Sequence, residues 1–227
     1  GHLSYDHIGR FLSPTSPLLV YNPFNPEGLL NTYYRLTWER IYFRRIVDRL
    51  RIDASLCPEA NAGNGVTEFK INPDMQVNMG QSQGNWVSSL IVSADPKPYQ
   101  GAIFSGVSGT WTRLFTTSSS LRLFMNTVVA FQFPTEAFGD MHPFLMLMEW
   151  MHGGVEPTVN LQNLLSKPVK TPPHVLSISG FEDQFLGDPT QRPVFMALGL
   201  DLAGEDIGTS AEDSLMPQMT IAGSQHL

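Results

Sequence analysis

Five residues, Gly80-Gln81-Ser82-Gln83-Gly84, constrain what this chain can fold into more than any other stretch. Before them, Met75-Gln76-Val77-Asn78-Met79 reads as a short strand opened by the turn Asn72-Pro73-Asp74. After them, Trp86 to Ala94 has helix-compatible apolar spacing, and Asp95-Pro96 ends the helix because a proline disfavours helical backbone at the residue before it. A strand that bends at once into a helix needs room at the bend. Without Cβ atoms, Gly80 and Gly84 let two backbones approach and lift the Ser82 hydroxyl above the sheet edge. A serine hydroxyl is a weak nucleophile at neutral pH, so that placement becomes chemistry only with a base to take its proton and donors for the oxyanion that follows. The Gln83 amide, next along the chain, is the expected oxyanion donor.

Suitable partners follow later strands. Gly101 to Gly106 is the next expected strand, His174 to Ser179 the best later one, and Met216 to Ala222 the last. Gly180-Phe181-Glu182-Asp183 follows the second of these, and Gly223-Ser224-Gln225-His226 the third. Asp183 is the expected acid, with Glu182 and Asp188 as alternatives and a simple turn-forming aspartate as the bland reading. His226 is the expected base, accepting the Ser82 proton and returning it to a leaving group. Its penultimate position sets against it the plainer reading of a surface terminus.

Elsewhere the chain alternates. Residues 1 to 28 read as a Pro- and Asn-rich loop with at most one short strand. Leu29 to Leu50 read as a long helix whose face of Leu36, Phe43, Ile46, Val47 and Leu50 covers a sheet, and 53 to 65 as a loop. Residues 111 to 170 are mostly helical, broken by Pro134, Pro143 and Pro157, which suggests a helical cap or lid inserted in a single 1–227 unit. Within it, Phe138 to Met151 is densely apolar. Phe144, Met148 and Trp150 are candidate pocket residues for an acyl chain, weighed against ordinary packing of the cap onto the body. The alternation of strands and helices predicts an α/β fold, a three-layer sheet with helices on both faces.

Composition limits the partners. A net charge of -7 and a pI near 5.3 oppose nonspecific attraction to nucleic acid. The basic residues Arg35, Arg40, Arg44, Arg45, Arg49 and Arg51 fan around a helix rather than forming one stripe, as a solvated face does. Cys57 is the one cysteine and closes no intrachain disulfide. Glu149 and His152 have Glu-x-x-His spacing without the second pair that a di-iron bundle needs. No zinc, P-loop or dinucleotide motif occurs. The chemistry expected at Ser82 requires no metal and no organic cofactor.

The order nucleophile, acid, base, carried by Ser82, Asp183 and His226, resembles that of the α/β-hydrolases, of the lipase and esterase-like kind. The resemblance covers most of Met75 to Leu227 and implies a three-layer α/β-hydrolase sheet, a nucleophile elbow at Gly80 to Gly84, and cleavage of carboxylic esters with a hydrophobic acyl group through an acyl-enzyme. The expected substrate is a small or lipid-like ester. Such enzymes carry several strands before the nucleophile strand, and an early loop supplies the second oxyanion amide. Neither is legible here, so N-terminal strands are expected in an upstream segment or a companion chain. An amidase, a peptidase, an acyltransferase, or a binding module without turnover would use the same framework. Localisation is left open, with a lean to secreted or periplasmic over cytoplasmic.

Overall fold

The structure, a computed structural model, describes residues 25–60, 63, 65–133, 138–168, 171–180, 183–201 and 203. In chain order its elements are α1 (Pro26–Val47), β1 (Arg51–Asp53), β2 (Glu68–Lys70), β3 (Gln76–Gln81), α2 (Gly84–Ala94), β4 (Tyr99–Ser105), α3 (Trp111–Thr117), α4 (Ser119–Gln132), α5 (Pro143–His152), α6 (Pro157–Leu161), β5 (His174–Ile178) and α7 (Asp188–Leu198). Short 3-10 turns stand at Ala54–Leu56 and Gly153–Val155.

The expected three-layer α/β-hydrolase sheet is corrected here. Among the described residues, β3, β4 and β5 form a three-stranded parallel sheet in that order, and β1 and β2 form a separate antiparallel pair, with no large central sheet. Two features of the chain account for the difference. After β4 the strand-helix alternation stops, because Trp111 to Leu161 folds as four helices before β5 begins. On either side of the 53–65 loop, a short antiparallel pair that was not expected forms apart from the parallel sheet, Arg51 with Lys70, Ile52 with Phe69 and Asp53 with Glu68.

Register assigns the two faces of the parallel sheet. Val77, Met79 and Gln81 of β3 stand opposite Gly101, Ile103 and Ser105 of β4, which in turn stand opposite His174, Leu176 and Ile178 of β5. Alternation sends these to one face and their neighbours to the other. On the first face Val77, Met79, Leu176 and Ile178 are exposed. On the second, Ala102 and Phe104 are buried, and Asn78 and Gly80 meet Ser88 and Asn85 of α2. Helices on both faces are therefore also corrected: the described helices leave the Val77 face open.

The core sits around α2, which is buried from Asn85 through Val92. It packs on β3 and β4 on one side and on α1 and α6 on others, which buries Asn85, Ser88 and Ser89 along with its apolar residues. Its companion α1 starts at Asn25, whose side-chain oxygen accepts from the Gly28 amide at 2.9 Å, with Pro26 at the first helical position. The buried stripe of α1 is Leu29, Tyr33, Leu36, Thr37 and Ile41. Of the face expected from the sequence, Leu36 is buried, while Phe43, Ile46 and Leu50 are exposed. The helix packs mainly on α2 rather than lying over the sheet.

At the far end of α1, Arg44 pairs with Asp48 at 2.6 Å and with Asp95, the residue that ends α2, at 2.9 Å. Much of the arginine cluster is thus matched by carboxylates, with Arg35 near Glu39 and Arg51 near Glu68 as weaker pairs. Cys57 is a free, exposed thiol. No described helix is long and apolar enough to cross a membrane.

Candidate active site

β3 runs directly into the Ser82 turn, and α2 begins at Gly84. Ser82 has φ of +50°, and among the described residues it is the one non-glycine with positive φ. For an L-residue the left-handed region costs about 1–2 kcal/mol, so surrounding structure must hold it there. The hold is visible. The Ser82 amide donates to the Ser105 carbonyl at 2.9 Å, continuing the β3–β4 ladder past its last pair, and the Asn85 amide donates to the Ser82 carbonyl at 3.0 Å.

The two glycines of the turn are not equivalent. A Cβ on Gly80 would lie 2.7 Å from both Asn85 Oδ1 and Ser88 Cβ, and 2.9 Å from the Asn85 Cα, so only glycine lets β3 lie this close to α2. A Cβ on Gly84 would meet nothing within 4 Å. The close approach of strand and helix is enforced at one flank only.

Asn85, in the first turn of α2, is fully buried. Its side-chain Nδ2 donates to the carbonyls of Ser105 at 2.8 Å, Ser82 at 3.0 Å and Gly106 at 3.0 Å. Its Oδ1 takes no hydrogen bond from a described residue. The sequence reading passed over this residue. The available signal was an asparagine, a poor helix former, set inside the first turn of the helix.

Gln83 lies half-buried between Ser82 and α2. Its side-chain Nε2 donates to the Tyr33 hydroxyl at 2.9 Å, which ties the turn to α1. Its backbone amide precedes the first turn of α2, where N–H groups have no intrahelical acceptor and favour a negative charge. Under the turn, Trp86 and Trp111 pack with ring centroids 4.3 Å apart, and Tyr33 sits 6.1 Å from each.

Asp183 follows β5 and stands, like Ser82, beyond the carboxyl end of the parallel sheet. The register there pairs Gln81 with Ser105 and Ser105 with Ile178, and the Gly106 amide donates to Ile178. Asp183 Oδ1 accepts from the amides of Phe185 at 2.8 Å and Leu186 at 2.9 Å, the turn-forming role weighed as the bland reading. Oδ2 takes no hydrogen bond from a described residue and lies 4.0 Å from where a Cβ on Gly106 would be. One oxygen anchors the loop, and the other is left for a donor. Asp188, the alternative acid, is paired with Arg192 one turn along α7. Glu182 and His226 lie outside the described residues.

The remaining described histidines are occupied or distant. His142 caps α5 by accepting from the Phe144 amide at 3.2 Å. His152 is buried, with Nε2 3.2 Å from the Pro26 carbonyl, and burial holds its pKa below the usual imidazole value. His174 begins β5, at the end of the sheet opposite Ser82. Glu149 and His152 therefore both face neighbouring backbone groups, since Glu149 accepts from the Thr112 amide at 2.8 Å. No grouping of three or more His, Cys, Asp or Glu residues suited to a metal occurs among the described residues.

The three candidate pocket residues take different positions on α5. Met148 is 2% exposed and part of the core, Trp150 is 82% exposed, and Phe144 is half-buried with its ring 6.1 Å from that of Phe133. Around them, the helices of 111–161 contribute Trp111, Phe115, Met125, Leu145 and Leu161 to the same buried cluster as α1 and α2.

A second feature unread in the sequence is a carboxyl pair, Glu156 buried and Glu149 half-buried. Glu156 Oε1 accepts from the Trp111 amide at 2.9 Å, so Glu156 and Glu149 together cap the start of α3. Burial, reinforced by the negative charge of Glu149, pushes the Glu156 pKa up to about 9. Glu156 is thus a protonated acid at neutral pH, hydrogen-bonded to its neighbour.

Compared with known proteins, the chain matches no protein-family model, no curated protein and no solved structure.

Proposed function

We propose that this chain is a serine hydrolase that cleaves carboxylic esters through an acyl-enzyme on Ser82. The observation that carries the reading is the left-handed backbone of Ser82 at a strand-to-helix turn, with a neighbouring glycine that no larger residue could replace without displacing α2. Strain of that kind is kept where the side chain it aims has a use. In the proposed reaction the Ser82 hydroxyl attacks the ester carbonyl while His226 takes its proton. The Gln83 amide stabilises the oxyanion, and Asp183 orients the imidazole and balances its charge. His226 then protonates the departing alcohol and activates the water that releases the acid. An apolar acyl group is part of the proposal, supported by the apolar composition of 138–151. The resemblance to lipase-like enzymes enters at the turn and the acid after β5, not as a shared sheet.

The test is intact mass after treatment with a fluorophosphonate probe. A single adduct on the full chain that disappears in Ser82→Ala and in His226→Ala is the expected result. No adduct on the unaltered chain, or an adduct that persists in Ser82→Ala, overturns the proposal.

A further inference from the structure

Three backbone carbonyls, from two separate segments of the chain, converge on one buried side-chain amide. The Asn85 NH2 has two protons and three acceptors within 3.0 Å, so at least one proton is shared between two carbonyls. The orientation of the carboxamide follows from the same geometry, since an oxygen in that place would face three oxygens. The opposite atom, Oδ1, is directed at Gly80, where a Cβ would lie 2.7 Å away and only a glycine hydrogen fits. A buried acceptor without a partner carries a desolvation cost, one that a hydrocarbon side chain in this position would not incur. What such a side chain could not supply is the donor.

The carbonyls it gathers are those that define the site. Ser82 is the strained residue, while Ser105 and Gly106 are the end of β4 and the first residue beyond it. Ser105 O receives both the Ser82 amide and Asn85. Gly106, itself at φ of +56°, lies between Ser82 and the Asp183 loop. Bonds to one rigid planar group fix the relative positions of the two segments in a way that packing alone would not.

We infer that Asn85 is the positioning residue of the site. Its carboxamide locks the Ser82 turn to the Ser105–Gly106 end of β4, and so sets the Ser82 hydroxyl relative to the Asp183 loop. The consequence for chemistry rests on the serine-hydrolase reading; the consequence for backbone order does not.

Two variants of the full chain test it. Asn85→Leu keeps the approximate volume and removes the donor, and Asn85→Asp keeps the shape with at most one donor. Fluorophosphonate labelling is followed against probe concentration, so that the maximal inactivation rate separates from probe affinity, alongside residue-resolved amide exchange. The maximal rate should fall at least about ten-fold in Asn85→Leu, which lacks the donor, and at least as far in Asn85→Asp, where an oxygen faces the three carbonyls, with affinity unchanged. Amide protection should drop at Ser82 and Gly106 while Ala102 and Phe104 keep theirs.

Wild-type rates and protection in both variants overturn the inference, as does a uniform loss of protection along β4. Should Asn85→Leu fail to fold, the same readouts on Asn85→Asp decide the matter. An unaltered chain that takes no label refutes the hydrolase reading, and the amide-exchange arm then decides the role of Asn85 by itself.

Discussion

At Gly80 the chain accepts the entropic cost of glycine because a Cβ there would collide with backbone as well as side chains of α2, whereas Gly84 faces open space at the first helical position. The two residues look alike in the sequence and should behave oppositely. Gly80→Ala forces strand and helix apart and should cost about 1–3 kcal/mol, while Gly84→Ala restricts the unfolded chain and should stabilise by about 0.4–1 kcal/mol. Denaturant midpoints at constant m-value check both signs. The Gly-x-Ser-x-Gly turn was legible because its determinants are local: apolar residues before it, a helix-forming run after it, and a proline to end that run. Asn85 was not legible, because its bonds to Ser105 and Gly106 exist only once β4 has paired with β3. The Asp183 position was legible from the strand before it, but the division of labour between its two oxygens was not.

Helices in this molecule are joined through their ends as well as their faces. The start of α3 is capped by Glu156 and Glu149 from the end of the helical stretch, and the ends of α1 and α2 meet at Arg44, Asp48 and Asp95. The first of these joints makes stability depend on pH with a definite sign. Glu156 is protonated in the folded chain up to about pH 9, whereas an unfolded glutamate releases its proton near pH 4.3. The folded state therefore binds more protons across that interval. Its stabilising contribution is complete below the unfolded pKa and is lost as pH rises towards 9. Glu156→Gln can still accept from the Trp111 amide and donate to Glu149, so its Tm should lose this decline, and its advantage over the unaltered chain should widen from pH 5 to pH 9. In a chain of this length each kcal/mol moves Tm by about 2–4 °C, so a thermal melt series reads the effect. Equal pH slopes for the two proteins would show that Glu156 titrates normally. On α1, the apolar residues from Phe43 onward resembled a buried face but lie where arginines and aspartates join two helix ends. The stripe that is buried, Leu29 to Ile41, lies two turns or more earlier than the expected face, with Leu36 common to both.

At the scale of the molecule, burial on the parallel sheet is one-sided among the described residues. Phe104 is fully buried beneath α2, while Met79 and Leu176 on the other face of the same sheet are more than half exposed. Phe104→Ala should cost about 3–5 kcal/mol, and Met79→Thr or Leu176→Thr less than about 1 kcal/mol. Equilibrium unfolding of the three variants checks this, and a loss of several kcal/mol at Met79 would show that the face is covered. Composition and periodicity by themselves determined that the chain has a large core, a strand-turn-helix at Ser82, a helix-rich stretch after β4 and a strand leading to Asp183, because each of these follows from residue type and spacing within a few turns of chain. Only the tertiary structure decided that, among the described residues, the parallel sheet has three strands and one face that no described helix covers, that α1 packs on α2, and that Asn85 binds the serine turn to the end of β4. Strand partners, helix neighbours and buried hydrogen bonds join residues far apart in sequence, and no local period encodes which of them meet.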